Sequence, residues 1–340
     1  MTGRLIPLLS ALLLAVAPAS AQDAAEFFRG KTIRVLAAFD AAGNAGLIVQ
    51  VVANHIGKHI PGNPIVIPQF MPGGGGLVQA NYIYSAAPKD GTAFGLLFDN
   101  LPTTQVLEPA SVKFDSKRFT VIGALNRGEN GALAIRSDHP IKTVADARRH
   151  ELVMASTGPG TTAYSIGNAL NNTLQTKIRL VMGYTSGGTM LHAFEQGEVS
   201  SLIIDYNSLK RDSPQMIQSG LMKFLLQVGD HREAEINSVP LLTEVAETSQ
   251  QKALFMLLSS GRRMGKVFIA PPDVPAERVD ILRKAFADMV ADPDFVTDAA
   301  RVGTRVEARP WQAAADVIRE TVETPVELAE LAAKLSAGAR

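Results

Sequence analysis

From about residue 31 onward, short apolar runs alternate with stretches whose apolar positions recur at helical spacing. "KTIRVLAAF" (31–39) reads as a strand, and residues 46–59 read as a helix that ends at "HIPGN", where Pro61 and Gly62 stop it. "PIVIPQF" (64–70) predicts the next strand, 77–86 a second helix, and "AFGLLF" (93–98) a third strand. That βαβαβ order requires a parallel sheet with right-handed crossovers. The pattern then restarts. "ALAIR" (132–136), "LVMAS" (152–156), "RLVMGY" (179–184), "SSLIID" (200–205) and "KFLLQV" (223–228) predict strands, with helices near 143–149, 161–174, 187–196 and 207–219. The last third is mainly helical, over 240–258, 275–291, 293–301 and 311–335, interrupted by one strand, "KVFIAP" (266–271). Strands near 121–125 and 266–270 fall where one alternating block meets another, so they predict crossings between two lobes. The expected division is 22–123 with 266–340 in lobe 1, and 124–265 in lobe 2.

The first 21 residues set the compartment: Arg4 is a short basic start, "LIPLLSALLLAVAP" an apolar centre, and "ASA" before Gln22 a cleavage pattern. A spanning helix needs about 20 apolar residues. This run is shorter, is broken by Pro7 and Pro18, and predicts a signal peptide cleaved after Ala21. No Cys follows that site to carry a lipid, so the expected product is periplasmic and soluble. The remaining 340 − 21 = 319 residues suit two domains of about 150 residues each. Absence of cysteine leaves neither disulfides nor thiol chemistry. With 33 basic and 33 acidic residues and no block of like charge, nucleic acid and anionic membranes are poor partners.

In an open α/β sheet, ligands bind beyond the carboxyl ends of the strands. Six loops lie there: "FDAAGNAG" (39–46), "MPGGGG" (71–76), "FDNLPTT" (98–104), "ASTGPGTTAY" (155–164), "GYTSGGT" (183–189) and "IDYNS" (204–208). None carries a basic side chain. Gly is used where φ must be positive or a ligand must approach the main chain, and "GGGG" opens a helix whose free N–H groups suit an anion. Thr161 or Thr162 is placed to cap the next helix, and Tyr184, Thr185 and Ser186 offer hydroxyls. Asp99, beside Asn100, and Asp205 follow strands of opposing lobes and suit a ligand amine or hydroxyl, or serve only as helix caps. Together the loops predict a cleft that holds a carboxylate by helix N-termini and hydroxyls, without a formal cation.

Enzyme patterns fail when checked. "GKT" (30–32) lacks the glycine a phosphate loop needs at Ala25, "GGGGLV" lacks the last glycine of a dinucleotide fingerprint, and Ser186 has Tyr184 where a nucleophile elbow needs glycine. His55 and His59, spaced i, i+4, have no third metal ligand nearby and read as a solvated pair at a helix C-terminus. "SQQK" (249–252) is a short pattern of a kind that often arises by chance, and His139, His150, His192 and His231 have no obvious carboxylate partner in sequence. No catalytic residue, metal or cofactor is predicted. Trp311 reads as an anchor of the C-terminal helix, and Arg127 as either a cleft cation or a hinge-surface residue.

The phrases "GKTIRVLAAF…ANHIGKHIPGNPIVIPQFMPGGGGLVQANYIYSAAPKDGT", "YTSGGTMLHAFEQGEVSSLIID" and "FIAPPDVPAERVDILRKAFADMVADPDF" resemble the Bug (TctC-like) receptors of tripartite tricarboxylate transporters. The resemblance spans most of the chain after the signal. It implies a type II periplasmic-binding fold, two α/β lobes that close over a small carboxylated solute, with a monomeric receptor docking on a pair of membrane subunits. A ligand-sensing partner of a membrane sensor would use the same cleft. Residues carried over by the resemblance are Phe39, Asp40, Gly43 and Asn44; Pro72, Gly73, Gly74 and Gly75; Ser156, Thr157, Gly160, Thr161 and Thr162; and Tyr184, Thr185, Ser186 and Gly187. One departure stands out: the first loop lacks the family's acidic residue, with Gly46 in its place, and Gln50 stands where an Arg is usual. On this reading Gly74→Val weakens binding by 10-fold or more, roughly 1.4 kcal/mol at the threshold.

Overall fold

The computed structural model of the 340-residue chain describes residues 26–41, 43–159, 161–184, 187–307 and 309–338, with only the backbone described for Asn44 and Asp212. The signal-peptide expectation therefore lies outside the described residues.

All ten expected strands form, and they divide into two five-stranded sheets. The first contains β1 (Thr32–Ala37), β2 (Ile65–Phe70), β3 (Ala93–Leu96), β4 (Thr120–Ala124) and β10 (Val267–Ala270), in the order β2-β1-β3-β10-β4. The second contains β5 (Gly131–Arg136), β6 (Leu152–Ala155), β7 (Ile178–Val181), β8 (Ser201–Asp205) and β9 (Met222–Val228), in the order β7-β6-β8-β5-β9. In each sheet three strands run parallel, and a fourth enters antiparallel from the crossing between lobes. β3 and β10 are buried at every position, which is why they read as continuous apolar runs.

Helices cover both faces of each sheet. In the first lobe these are α1 (Asn44–Ile56), α2 (Leu77–Ser85) and α3 (Leu101–Leu107), joined later by α10 (Ala276–Val290), α11 (Pro293–Arg301) and α12 (Trp311–Val322). The second has α4 (Thr162–Leu174), α5 (Gly187–Gln196), α6 (Tyr206–Asp212), α7 (Pro214–Gln218) and α8 (Ser249–Leu258), while the short α9 (Ser260–Met264) packs at the crossing against α3 and α12 of the first. α1 buries Ile48, Val52 and Ile56, a stripe at i, i+4, i+8 that packs with Leu282, Phe286 and Phe295 on one face of the first sheet. Ala80 and Ile83 of α2 meet Val317 and Ile318 of α12 on the other face. In the second lobe Ile166, Leu170, Leu254 and Phe255 fill one face, and Phe194, Leu209 and Met216 the other.

Several expected helices are shorter or broken. Pro214 and Pro325 divide 207–219 and 311–335, because proline lacks the N–H that a helix interior requires. The expected helix at 240–258 begins only at Ser249, where the Thr248 side chain accepts from the Gln251 N–H. Residues 144–148 form only a 3-10 turn.

The division of lobes also needs correction. After α12 the chain crosses a third time, and α13 (Val326–Ser336) packs on the second lobe: Ala332 joins its core, and the Asn168 and Asn172 amides donate to the Ser336 and Leu335 carbonyls. A composition break at the strand crossings could not reveal this return. The other two crossings lie side by side. Leu125 N–H donates to the Lys266 carbonyl at 3.0 Å, and Lys266 N–H to the side chain of buried Asn126 at 3.1 Å. No helix among the described residues is long and apolar enough to span a membrane.

Candidate functional site

The carboxyl ends of both sheets face a cleft of about 690 Å³ between the lobes. One wall carries Phe98, Asp99 and Asn100, and the other Thr157, Thr161, Thr162, Gly187, Gly188 and Asp205. Two smaller chambers adjoin it. A hinge chamber of about 260 Å³ lies among Phe39, Leu97, Asn126, Glu129 and Lys266. A rear chamber of about 280 Å³ lies between α3, α4 and α13, lined by Thr103, Thr104, Glu108, Tyr164 and Ser336.

Local chemistry explains how the loops reach these positions. Ser156 is fully buried, and its hydroxyl accepts from Gly158 N–H at 3.2 Å, so it shapes its loop instead of facing a solute. Thr161 occupies the N-cap of α4 in an extended conformation, but its hydroxyl donates back to the Gly158 carbonyl at 2.7 Å. The expected side-chain cap is absent, and the first-turn N–H groups of α4 are left toward the cleft. Gly187 opens α5 beside them. Tyr184 packs on the apolar cluster beneath α5 and lines none of the three cavities. Gly160, Thr185 and Ser186 lie outside the described residues.

The first loop is folded onto its own helix. Gly43 N–H donates to the Asp40 carbonyl at 3.2 Å, and the Gln50 amide donates to the Ala41 carbonyl at 2.9 Å. A Cβ at Gly46 would stand 2.1 Å from the Asp40 carbonyl oxygen, so no side chain fits there. Phe39 rests edge-on against Phe98, with ring centroids 4.8 Å apart, and lines the hinge chamber; Asp40 and Gly43 line none of the three. Asn44 begins α1.

The glycine loop takes φ of 134°, 57°, 60° and 95° at Gly73 to Gly76, which no run of ordinary residues adopts. Pro72, Gly73, Gly74 and Gly75 are exposed and line none of the three chambers. The loop instead sets the start of α2. From that helix the Gln79 amide, fully buried, donates to the Leu36 and Leu96 carbonyls at 3.0 Å each, tying together the ends of β1 and β3.

The expectation of a cleft without a cation is overturned. Arg262, from α9 and therefore from no strand-end loop, lines all three chambers; Lys266 lines the hinge chamber, and Arg211 and Arg301 the main cleft. Arg262 Nη1 lies 3.5 Å from Asp205, whose carboxylate also accepts from Ser208 N–H at the start of α6. Burial pushes the Asp205 carboxyl up, but Arg262 and the Ser208 bond outweigh it and hold the group below its usual range. Glu129, missed in sequence, is pushed up to about 7 chiefly by burial, against the pull of Lys266 at 3.6 Å and with help from the neighbouring Asp205. The only hint of these residues was polar chemistry packed at the crossings, in "GENG" (128–131) and "GRRMGK" (261–266).

Other expectations resolve as structure. Arg127 is exposed and faces a separate groove with Asn207 and His231. His55 and His59 are not a solvated pair: they meet Asp298 at 2.9 Å and Asp292 at 3.2 Å on α11. Arg283 stacks over the Trp311 ring at 3.5 Å, which anchors α12. Among the described residues no group of three or more His, Cys, Asp or Glu is placed to hold a metal.

The sequence profile of the family described as tripartite tricarboxylate transporter family receptor matches residues 48–331. The chain is 24% identical over 326 residues to a UPF0065 protein of Cupriavidus necator encoded in the gbd 5' region, covering 92% of this chain and 90% of that one. Its fold is similar to that of a TctC solute-binding protein from Polaromonas, with a TM-score of 0.66 at 18% identity over 88% of this chain and 97% of the other. It is similar also to MatC from Rhodopseudomonas palustris with bound malate, with a TM-score of 0.64 at 19% identity over 89% and 99% of the two chains.

Proposed function

The chain belongs to the tripartite tricarboxylate transporter receptor family, and from that premise we propose that it captures a small carboxylated solute in the interlobe cleft. It works in the periplasm as a monomer and delivers the solute to the membrane subunits of such a transporter. The family is one of receptors, and no chemical step belongs to this reading. One observation carries it: the first turns of α4 and α5 open onto the same cavity beside Thr161, Thr162, Gly187 and Gly188. The positive ends of two helices favour an anion there. The malate in the similar MatC structure supports a carboxylate as that anion. The candidate contacts are Asp99, Asn100, Thr157, Thr161, Thr162 and Gly187, with Gly160, Thr185 and Ser186 on the same two loops. A sensor role would share the cleft, and no observation favours it over transport.

The test is native mass spectrometry of the purified protein, mass analysis of what denaturation releases, and a thermal-shift screen of carboxylic acids. A released or stabilising carboxylate supports the proposal. A protein that is empty and gains no stability from any carboxylate defeats it.

A further inference from the structure

At the flank of the main cleft one side chain crosses from lobe to lobe. Arg211, in the last turn of α6 on the second lobe, donates from Nη1 to the Gly303 carbonyl at 3.1 Å, just past the end of α11 on the first. We propose that this bond is an interlobe latch, which holds the two lobes close and so sets how much of the time the cleft stands open. The proposal goes beyond the receptor reading, because it concerns the balance between lobe positions and needs no solute.

Each end of the latch is fixed to its own lobe. Leu209 is fully buried in the core of the second lobe, so α6 cannot swing out with Arg211. Phe295 and Ala299 of α11 are fully buried in the first. Past α11 the chain turns back tightly: Gly303 takes φ 72°, its N–H donates to the Ala300 carbonyl at 2.9 Å, and Thr304 N–H donates to the Ala299 carbonyl at 2.8 Å. A glycine in the left-handed conformation closes a helix end in this way. The guanidinium lies directly against it, and a Cβ at Gly303 would overlap the Arg211 side chain. The C-terminal end of a helix also carries partial negative charge, which a cation offsets. Arg301, the other cation at this end of the cleft, turns back to Asp298 at 2.7 Å.

The placement gives the bond leverage. Arg211 stands about 9 Å along the α6 axis from Asp205, which lines the hinge chamber. On the other side the Asn126 amide donates to the Arg305 carbonyl at 3.3 Å, so the segment after Gly303 is tied to the crossings. Rotation of the second lobe about those crossings therefore pulls Arg211 away from Gly303. With the bond in place the main cleft still measures about 690 Å³, and Arg211 and Val302 line it. An engaged latch and room for a small solute coexist, so the latch raises the population of a solute-holding geometry.

X-ray scattering of the purified protein, dialysed free of small molecules, tests the latch. Arg211→Met keeps the length of the side chain but loses its charge and donors, and is expected to raise the radius of gyration. Arg211→Lys, with one donor group, recovers part of the difference. Gly303→Ala displaces the guanidinium without removing its charge and should raise the radius as well, and the double variant Arg211→Met with Gly303→Ala should open no further than the larger single effect. Arg211 is exposed, so its replacement leaves the core untouched. Melting curves establish that each variant is folded; if Gly303→Ala is not, the two Arg211 variants decide. Hydrogen exchange over 299–304 separates the latch from a local role. Lost protection there with an unchanged radius makes Arg211 only a cap of α11 and overturns the proposal. An unchanged radius and unchanged protection in Arg211→Met overturn it too, leaving Arg211 as no more than part of the cleft wall. Neither failure touches the receptor reading, which rests on solute binding.

Discussion

A missing side chain shapes the first strand-end loop. Gly46 leaves the space into which the Asp40 carbonyl folds, and Gln50 then ties Ala41 down. The two departures from the family pattern are thus one arrangement, a loop packed on α1. Gly46→Ala is expected to overpack this contact, costing about 1–3 kcal/mol. Urea denaturation checks it, and an unshifted midpoint would show that the loop yields freely. Glu129 acts at the same scale through its proton. Folded Glu129 keeps the proton to about pH 7, while an unfolded glutamate releases it near 4.5. Between those values the folded state binds more protons, so stability falls as pH rises, by at most about 1.4 kcal/mol per unit. Glu129→Gln is neutral throughout and should flatten that fall. Denaturation at several pH values from 4.5 to 7.5 reads the slope, and an unchanged slope assigns it to other groups.

Elements are joined by a few specific bonds. Gln79 carries the carbonyls at the ends of β1 and β3, so Gln79→Leu leaves two buried acceptors unpaired and should destabilise the first lobe by about 1–3 kcal/mol. Hydrogen exchange of residues 32–37 and 93–96 would show the loosening locally; protection equal to the parent's counts against it. The glycine loop that aims α2 imposes its own limit. Gly74 sits at φ 57°, where a side chain costs roughly 1–2 kcal/mol. The loop lines no chamber, so Gly74→Val is now expected to lower the melting temperature and to change affinity less than tenfold. On the seam between α1 and α11, Asp292 caps α11 and accepts from Lys58 and His59. The Lys58 bond, the Asp294 N–H and His59 hold its carboxyl down to about 2, from an ordinary 3.8. Its stabilisation is complete above the higher value and lost as pH falls through the lower. Asp292→Ala should therefore lower the melting temperature at neutral pH and shrink the loss of stability between those two values; an identical acid transition would refute the pairing.

At the scale of the whole molecule, a cleft floored by paired crossings implies motion about them. Asn126 bonds the Lys266 backbone, and Glu307 N–H donates to the Leu125 carbonyl, so three separate segments meet at the hinge. Solute binding should close the lobes and reduce the radius of gyration in X-ray scattering. Asn126→Ala should loosen the hinge and weaken affinity, although Asn126 lines the hinge chamber and not the main cleft; scattering curves that superpose with and without solute would argue for a rigid receptor. α13 complicates simple hinge motion. It returns from the first lobe to the second and closes the rear chamber, so the lobes are linked on that side as well.

All ten strands were legible in the chain because each is an apolar run bounded by Gly, Pro or polar residues, a local signal. The same holds for α5 and α11, whose ends are marked by glycine and proline. α3 was hidden in "NLPTT", whose composition is that of a loop although its helix is stabilised by packing on α12 and α13. The strand-end rule located Asp99, Thr161, Thr162, Gly187 and Asp205 on the cleft wall. It misplaced the glycine loop and Tyr184, because lying after a strand does not decide which way a loop turns. Arg262 and Glu129 could not be found that way, being separated by more than a hundred residues and belonging to different crossings. Sequence alone determined the two sheets, their strand content and the candidate loops, because these depend on short-range hydrophobic periodicity and on where each strand stops. Tertiary structure alone decided the charge of the cleft, since the pairing of Arg262, Asp205, Glu129 and Lys266 exists only where two crossings and a helix start pack into one water-poor space.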